Sequence, residues 1–295
     1  MGTIIEAAAA ATADDRATAP SAVELADAAA RACLERAGRG PDDLQLLINA
    51  GVYLDRNISE PAIAALIQED IGANPDIRPG GGQGTLSFDV RNGACGLLTG
   101  MYLVDGLLAS GTVTCGIVVG ADVDPEPGVS EGFCFPGVAG AILLVSDDTR
   151  PGLTAFKLKT FPEFAGDFES HVAWHQRAGD GQGRNLLTVD IDEQYGAHAL
   201  ECAEATVREL AGEEGLDLAQ VDLLVATASV PGFADALARR LGITAPAAGS
   251  SEALARAHTA APAIALESAP LAASRTTLLV SAGAGLSVTA AVYRT

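Results

Sequence analysis

The sequence predicts an α/β protein, a sheet sandwiched by helices and laid down twice along the chain. Three observations carry this. Apolar runs of strand length alternate with segments whose apolar residues recur at helical spacing. The order helix, Asp-rich turn, buried strand ending in small residues, helix occurs in residues 22–72 and again from Tyr195 to Ile243. Near the end, TTLLVSAGAGLSVTAAVYR mirrors the strand pair of residues 112–146. An internal repeat of about 140 residues points to a duplicated unit, with one half over 1–150 and the other over 151–295.

Taken in order, residues 1–20 are Ala-rich and polar and read as a loose start. SAVELADAAARACLERAG has a Ser cap, apolar residues at helical spacing and a terminating Gly38, the marks of a helix. DDLQLLINAGVY reads as a buried strand. SEPAIAALIQEDIG reads as a second helix, with Pro61 in its first turn and Gly72 at its end. RPGGGQG is a loop, TLSFDV a strand, GLLTGMYLVDGLLASG an apolar helix, and TCGIVVGAD and VAGAILLVSD are buried strands. Residues 151–190 fit neither copy of the repeat and are expected to form a cap or crossover at the start of the second half.

Composition narrows the function. The net charge is −20, with 18 Lys and Arg against 38 Asp and Glu, and aromatics make up 4%. There is neither a basic stripe to neutralise phosphates nor a stacking platform for bases, which argues against nucleic acid. No apolar run reaches the roughly 20 residues that span a bilayer. The five cysteines are scattered without ligand-like spacing, and no basic-then-apolar leader is visible, so a reducing, cytoplasmic setting is expected. The acidity also suits coenzyme A poorly, because its phosphates normally meet Arg or Lys.

The short stretch TLSFDVRNGACGLLTG places Cys95 where an apolar helix begins. Unpaired N–H groups and the positive dipole end favour a thiolate there, so Cys95 is a candidate nucleophile. The alternative is a small buried hydrophobe at a crowded helix start. Taken together, FDVRNGACG before an apolar helix, VDLLVATASVPG, ARAHTAAP, FPGVAGA and AGAG at 282–285 resemble the thiolase superfamily, in its ketoacyl synthase III branch, over about residues 22–295. The resemblance implies a five-layered αβαβα thiolase fold. It also implies a nucleophilic Cys at a helix start in the first half, with a His and an Asn in the second.

The family pattern places the nucleophile six positions after the Phe of FDV and two before the Gly, and both counts from Phe88 and Gly96 fall on Ala94. Cys95 is one place late, about 100° around a helix, so its side chain is expected to point away from a pocket lined by Ala94. Thr227 stands at the family's His position and has no titration near neutrality with which to act as a base. His258 stands at the Asn position, followed by Thr259. It is either a structural or interface group or, paired with Cys95, half of an unusual dyad. The short segment before Ser21 and the charge further suggest that this chain lacks a complete coenzyme A site of its own.

The segment LLINAGVYLDRNISEPAIAALIQ resembles the head-to-head acyl-CoA condensing enzymes of long-chain olefin and β-lactone biosynthesis. In those dimers a Glu followed by Pro reaches from the dimer contact into the partner's pocket and acts as the base; Glu60-Pro61 matches that pair. Without the resemblance, Glu60 reads as a first-turn carboxylate facing a helix dipole. With it, this chain is expected to be the glutamate-donating second subunit of a lipstatin-type heterodimer. A homologous catalytic subunit carrying Cys, His and Asn would be its partner, and fatty acyl-CoA its substrate without any further cofactor. The alternatives are a self-sufficient acyltransferase using Cys95 and His258, or a purely structural subunit. Two weaker patterns are set aside. Glu169, His171 and His175 have no further ligand near in sequence, so no metal is expected. GGGQG at 80–84 precedes a strand, where no helix start can receive a phosphate.

Overall fold

The computed structural model describes residues 2–13, 21–74, 84–172 and 186–295. The chain opens not on a loose segment but on a strand, β1 (Gly2–Thr12), which lies deep in the sheet and pairs antiparallel with β5. There follow α1 (Ala22–Ala37), β2 (Leu46–Asn49), α2 (Ile63–Ile71), β3 (Leu86–Asp89), α3 (Gly96–Ala109), β4 (Cys115–Asp122) and β5 (Val138–Asp147). The second half runs β6 (Gly152–Thr160), a small hairpin of β7 (Phe168–Val172) and β8 (Leu187–Ile191), then α4 (Tyr195–Glu214), β9 (Leu223–Thr227), α5 (Phe233–Leu241) and β10 (Ala247–Ala248). It closes with α6 (Glu252–Arg256), α7 (Ala261–Ser268), β11 (Thr276–Gly283) and β12 (Ser287–Arg294). Residues 152–160, expected from sequence to belong to a cap or crossover, are thus a strand of the main sheet, and a 3-10 turn, Pro162–Asp167, and the β7–β8 hairpin follow it.

The strands run β10-β9-β11-β12-β6-β1-β5-β4-β2-β3. Read inward from either edge, each set of five has the same order, and the two sets touch through a single pair, Thr3 opposite Gly152. Side-chain alternation sorts the core into layers. On β2, Leu47 joins α1 and α2, while Leu46 and Ile48 join α3. On β9, Leu224 and Ala226 join α4 and α5, while Leu223 and Val225 share the central cluster with α3 and α7. Two sheets, two outer helical layers and one shared inner layer make the αβαβα stack.

The inner layer is tight because its contacts are made by small residues. A Cβ on Gly100 of α3 would lie 2.4 Å from Val118 Cγ1, and one on Gly140 would lie 2.6 Å from the Ala263 Cβ of α7. Helix starts are set by carboxylates as much as by their own caps. Ser21 accepts the Glu24 N–H, and Asp55 accepts the Ser21 hydroxyl and the N–H of Ala22. The α2 helix begins at Ile63, so Pro61 precedes it and Glu60 is not a first-turn residue; Asp89 accepts the N–H groups of Ile63 and Ala64 instead. No helix among the described residues is long and apolar enough to cross a membrane.

Candidate functional site

Where β3 meets α3 the chain makes a 3-10 turn, Gly93–Cys95, against the β11–β12 connection. Gly93 has φ 49°, a left-handed conformation that glycine adopts without strain. Cys95 is fully buried and its thiol is turned to the carbonyls of Ser281 and Ser287, each at 3.3 Å. Burial pushes that thiol up to about 12. A nucleophile needs the opposite, an accessible thiolate. The structure does not bring Cys95 and His258 together as a dyad. The side-chain direction expected from the motif spacing is seen, but the cavity wall is Gly93 and not Ala94, whose methyl group packs 3.5 Å from the position a Cβ on Gly283 would take.

Thr227, at the end of β9, shares a buried 2.9 Å hydrogen bond with the Ser281 hydroxyl and lines neither of the cavities described below. His258 is different. Its Nδ1 lies 2.8 Å from Asp122 Oδ2, both side chains being buried. Asp122 also accepts the N–H groups of Val52, Tyr53 and Thr259. Burial raises the Asp122 carboxyl, but the charge and hydrogen bond of His258, joined by Thr259 and the Tyr53 amide, outweigh it and hold the carboxyl below its usual range. An ionised acceptor on Nδ1 fixes the proton there and turns Nε2 toward Gly93. Tyr53, Phe135 and Phe168 box the imidazole, with Phe135 stacked at 4.6 Å between ring centroids. The Asp122 partnership was invisible in sequence, since 136 positions separate the two residues.

These residues border a cavity of about 620 Å³ whose floor is Gly93, His258, Ala284 and Gly285. The glycine turn at 282–285 therefore borders the cavity through Ala284 and Gly285, while Gly283 packs on the start of the 3-10 turn, where a Cβ would be 3.2 Å from the Ala94 nitrogen. A second cavity of about 250 Å³ shares Val52, Tyr53, Arg91 and the β7 residues Ser170 and His171 with it. Arg91 is the sole Lys or Arg among the described residues lining the two, a sparse provision for a polyphosphate. Glu169 and His171 sit on β7 at the rim; His175 lies outside the described residues, as do residues 80–83 of the glycine loop. Among the described residues no three His, Cys, Asp or Glu side chains are grouped to hold a metal.

Glu60 is exposed and lines neither cavity, although Asn57, Ile58 and Ser59 just before it line the smaller one. Its loop is fixed at both ends by the carboxylates already described: Asp122 holds Val52 and Tyr53, and Asp89 holds Ile63 and Ala64. Asp89 also accepts the Asn49 side-chain amide, tying the loop to β2 and to the edge strand β3.

The fold and the small-residue seam between the halves define the class: this is the thiolase fold as it occurs in ketoacyl synthases III and their condensing relatives. The chain superposes over its full length on the 3-oxoacyl-[acyl-carrier-protein] synthase III of Aquifex aeolicus, with TM-score 0.75, 19% identity and 100% of that chain covered. It superposes likewise on a Xanthomonas campestris OleA variant with bound lauric acid and lauroyl-CoA, with TM-score 0.78, 15% identity and 99% of that chain covered. In sequence it is similar to the β-ketoacyl-[acyl-carrier-protein] synthase III of Rhizorhabdus wittichii, 25% identical over 240 residues, 75% of this chain and 66% of that protein. Matches to such synthases span 66%, 65% and 63% of the relatives' lengths, just under two thirds. No family model matches the chain.

Proposed function

We propose that this chain is the second subunit of a heterodimeric acyl-CoA condensing enzyme, contributing Glu60 as base to the active site of a homologous subunit that carries Cys, His and Asn. The reaction is a non-decarboxylative Claisen condensation of two fatty acyl-CoAs to a 2-alkyl-3-ketoacyl product, of the kind that feeds β-lactone formation. Glu60 removes the weakly acidic α-proton of one acyl thioester. The carbanion then attacks the acyl group held on the partner's cysteine, forming the carbon–carbon bond as the carbon–sulfur bond breaks and the thiolate leaves. A carboxylate enclosed in the partner's acyl tunnel would gain basicity from burial, which suits it to this proton.

The observation that carries the reading is the position of Glu60: exposed, outside the two cavities described above, on a loop whose two ends are fixed by carboxylate–amide hydrogen bonds. A side chain so placed is free to reach into another molecule, as the proposal requires. The buried Cys95 thiol supports the same reading, because the acyl group must be carried elsewhere. The test is to co-express the chain with a homologue that retains the full Cys, His and Asn set, and to follow labelled acyl-CoA. β-Ketoacyl product is expected only from the mixture; condensation by either subunit alone at the rate of the pair contradicts the reading.

A further inference from the structure

The Asp122–His258 pair is more elaborate than a structural filler needs to be. Its carboxylate gathers N–H groups from Val52 and Tyr53 in the first half and from Thr259 in the second, and three aromatic rings hold the imidazole in one orientation. The position a Cβ on Gly93 would occupy lies 3.7 Å from His258 Nε2 and 4.0 Å from the Ala284 nitrogen. The basic nitrogen and a backbone donor thus converge on one spot at the cavity floor. The Ala94 N–H, at the second position of the 3-10 turn, is among those a helix start leaves without an intrahelical partner, and it stands beside Gly283 at the same seam.

We propose that this cavity is a hydrolytic site of the chain's own, in which His258, positioned by Asp122, is the general base that directs a water molecule onto an apolar acyl thioester. Val52, Tyr53, Ala165 and Phe168 offer an acyl chain an apolar strip in a lining that also holds Asn92 and Glu169, and Arg91 is the one Lys or Arg there, among the described residues, to meet an anionic thioester carrier. His258 Nε2 takes a proton as the water oxygen bonds to the carbonyl carbon. Backbone N–H groups of the 282–285 turn face the developing oxyanion. The carbon–sulfur bond then breaks, and the proton passes from His258 to the departing sulfur, giving a free acid and a free thiol with no other reactant. Water is the attacking group because the side-chain candidates are engaged: the Cys95 thiol points into β11–β12, the Thr227 hydroxyl binds Ser281, and the Ser170 hydroxyl binds Tyr53.

The inference needs no partner subunit and no Glu60 chemistry, so the purified chain alone tests it, and its failure is separate from failure of the condensation reading. Decanoyl-CoA is incubated with the chain, and free thiol and decanoic acid are measured alongside an intact-protein mass spectrum. Release above the uncatalysed rate is expected, with no acyl adduct on the protein. His258→Asn keeps a donor for Asp122 but has no basic nitrogen; it should fold and lose the hydrolytic rate by about a hundredfold or more. His258→Gln supplies the same comparison if the Asn variant does not fold. Cys95→Ala should hydrolyse at the wild-type rate. No release by the wild type, wild-type rates in both His258 variants, or an acyl group trapped on a side chain would each overturn the proposal.

Discussion

The cavity around His258 and the loop around Glu60 are built with the same device, a carboxylate that collects backbone N–H groups, and they end in opposite conditions. Asp122 closes its region: everything it binds is buried or nearly so, and the imidazole it holds is enclosed by rings. Asp89 and Asp55 hold the Glu60 loop from below and leave its tip in solvent. On the function proposed above, the outward-facing Glu60 acts across an interface, whereas the enclosed pair can act only on what enters the cavity.

The comparison breaks most severely at Asp122. Asp122→Ala leaves three backbone N–H groups and a buried imidazole without their acceptor, and should cost about 3–5 kcal/mol of unfolding free energy, the scale for removing one partner of a buried pair. Denaturant unfolding checks this; a loss within that of a surface substitution would show that the two halves are not joined there. Asp89→Ala removes the acceptor at the start of α2 and should cost about 1–2 kcal/mol. Because it loosens the loop rather than the core, it should also lower condensation in the mixed complex while sparing acylation of the partner. Cys95→Ala sharpens the contrast from the other side. It should cost about 1 kcal/mol for a small cavity and leave condensation unchanged, and the wild-type thiol, pushed up to about 12, should resist alkylation in the folded protein at neutral pH.

How much of this was legible in the sequence varies with distance along the chain. Helix α1, the buried strands β2, β4 and β5 and the apolar α3 follow from capping, periodicity and run length. The two strands misread, β1 and β6, hold equivalent places in the two sheets and meet each other at Thr3 and Gly152. One is misread because a run of Ala lacks the β-branched residues that mark strands, the other because KLKT alternates polar residues on a half-exposed face. At the site, motif spacing correctly turned Cys95 away from the cavity, since one residue on a helix is a large rotation. It placed the cavity wall one residue off, because the turn is 3-10 with a left-handed Gly93. The carboxylate anchors at Asp55, Asp89 and Asp122 were beyond reach, as their nearest partners in sequence lie 32, 25 and 69 positions away.

A further effect, between α1 and α2 and at neither the cavity nor Glu60, serves as a control on both regions. Asp27 of α1 is buried beside Asp70 of α2, and burial first, then the Asp70 charge, raises its carboxyl to about 7. A carboxyl raised in the folded state favours folding when protonated. Its contribution is full below about 4 and is lost as pH rises through about 7, at no more than about 1.4 kcal/mol per pH unit. Asp27→Asn should therefore flatten the stability–pH profile between those limits and be more stable than wild type at pH 8, without altering condensation. Equal slopes in the two proteins would contradict the shift.

The most direct test of the central claim is the fate of labelled acyl-CoA in the mixed complex carrying Glu60→Gln, with acyl-enzyme and β-ketoacyl product measured separately. The account predicts that complex formation and acylation of the partner's cysteine persist while condensation falls by about a hundredfold or more, the usual scale for a positioned general base. Glu60→Asp should recover only part of the rate, because a reach shortened by about 1.5 Å takes the carboxylate off the α-proton. Condensation at the wild-type rate in Glu60→Gln would make this chain a structural partner and contradict the account; loss of acylation together with condensation would make Glu60 a residue that shapes the partner's pocket, and contradict it as well.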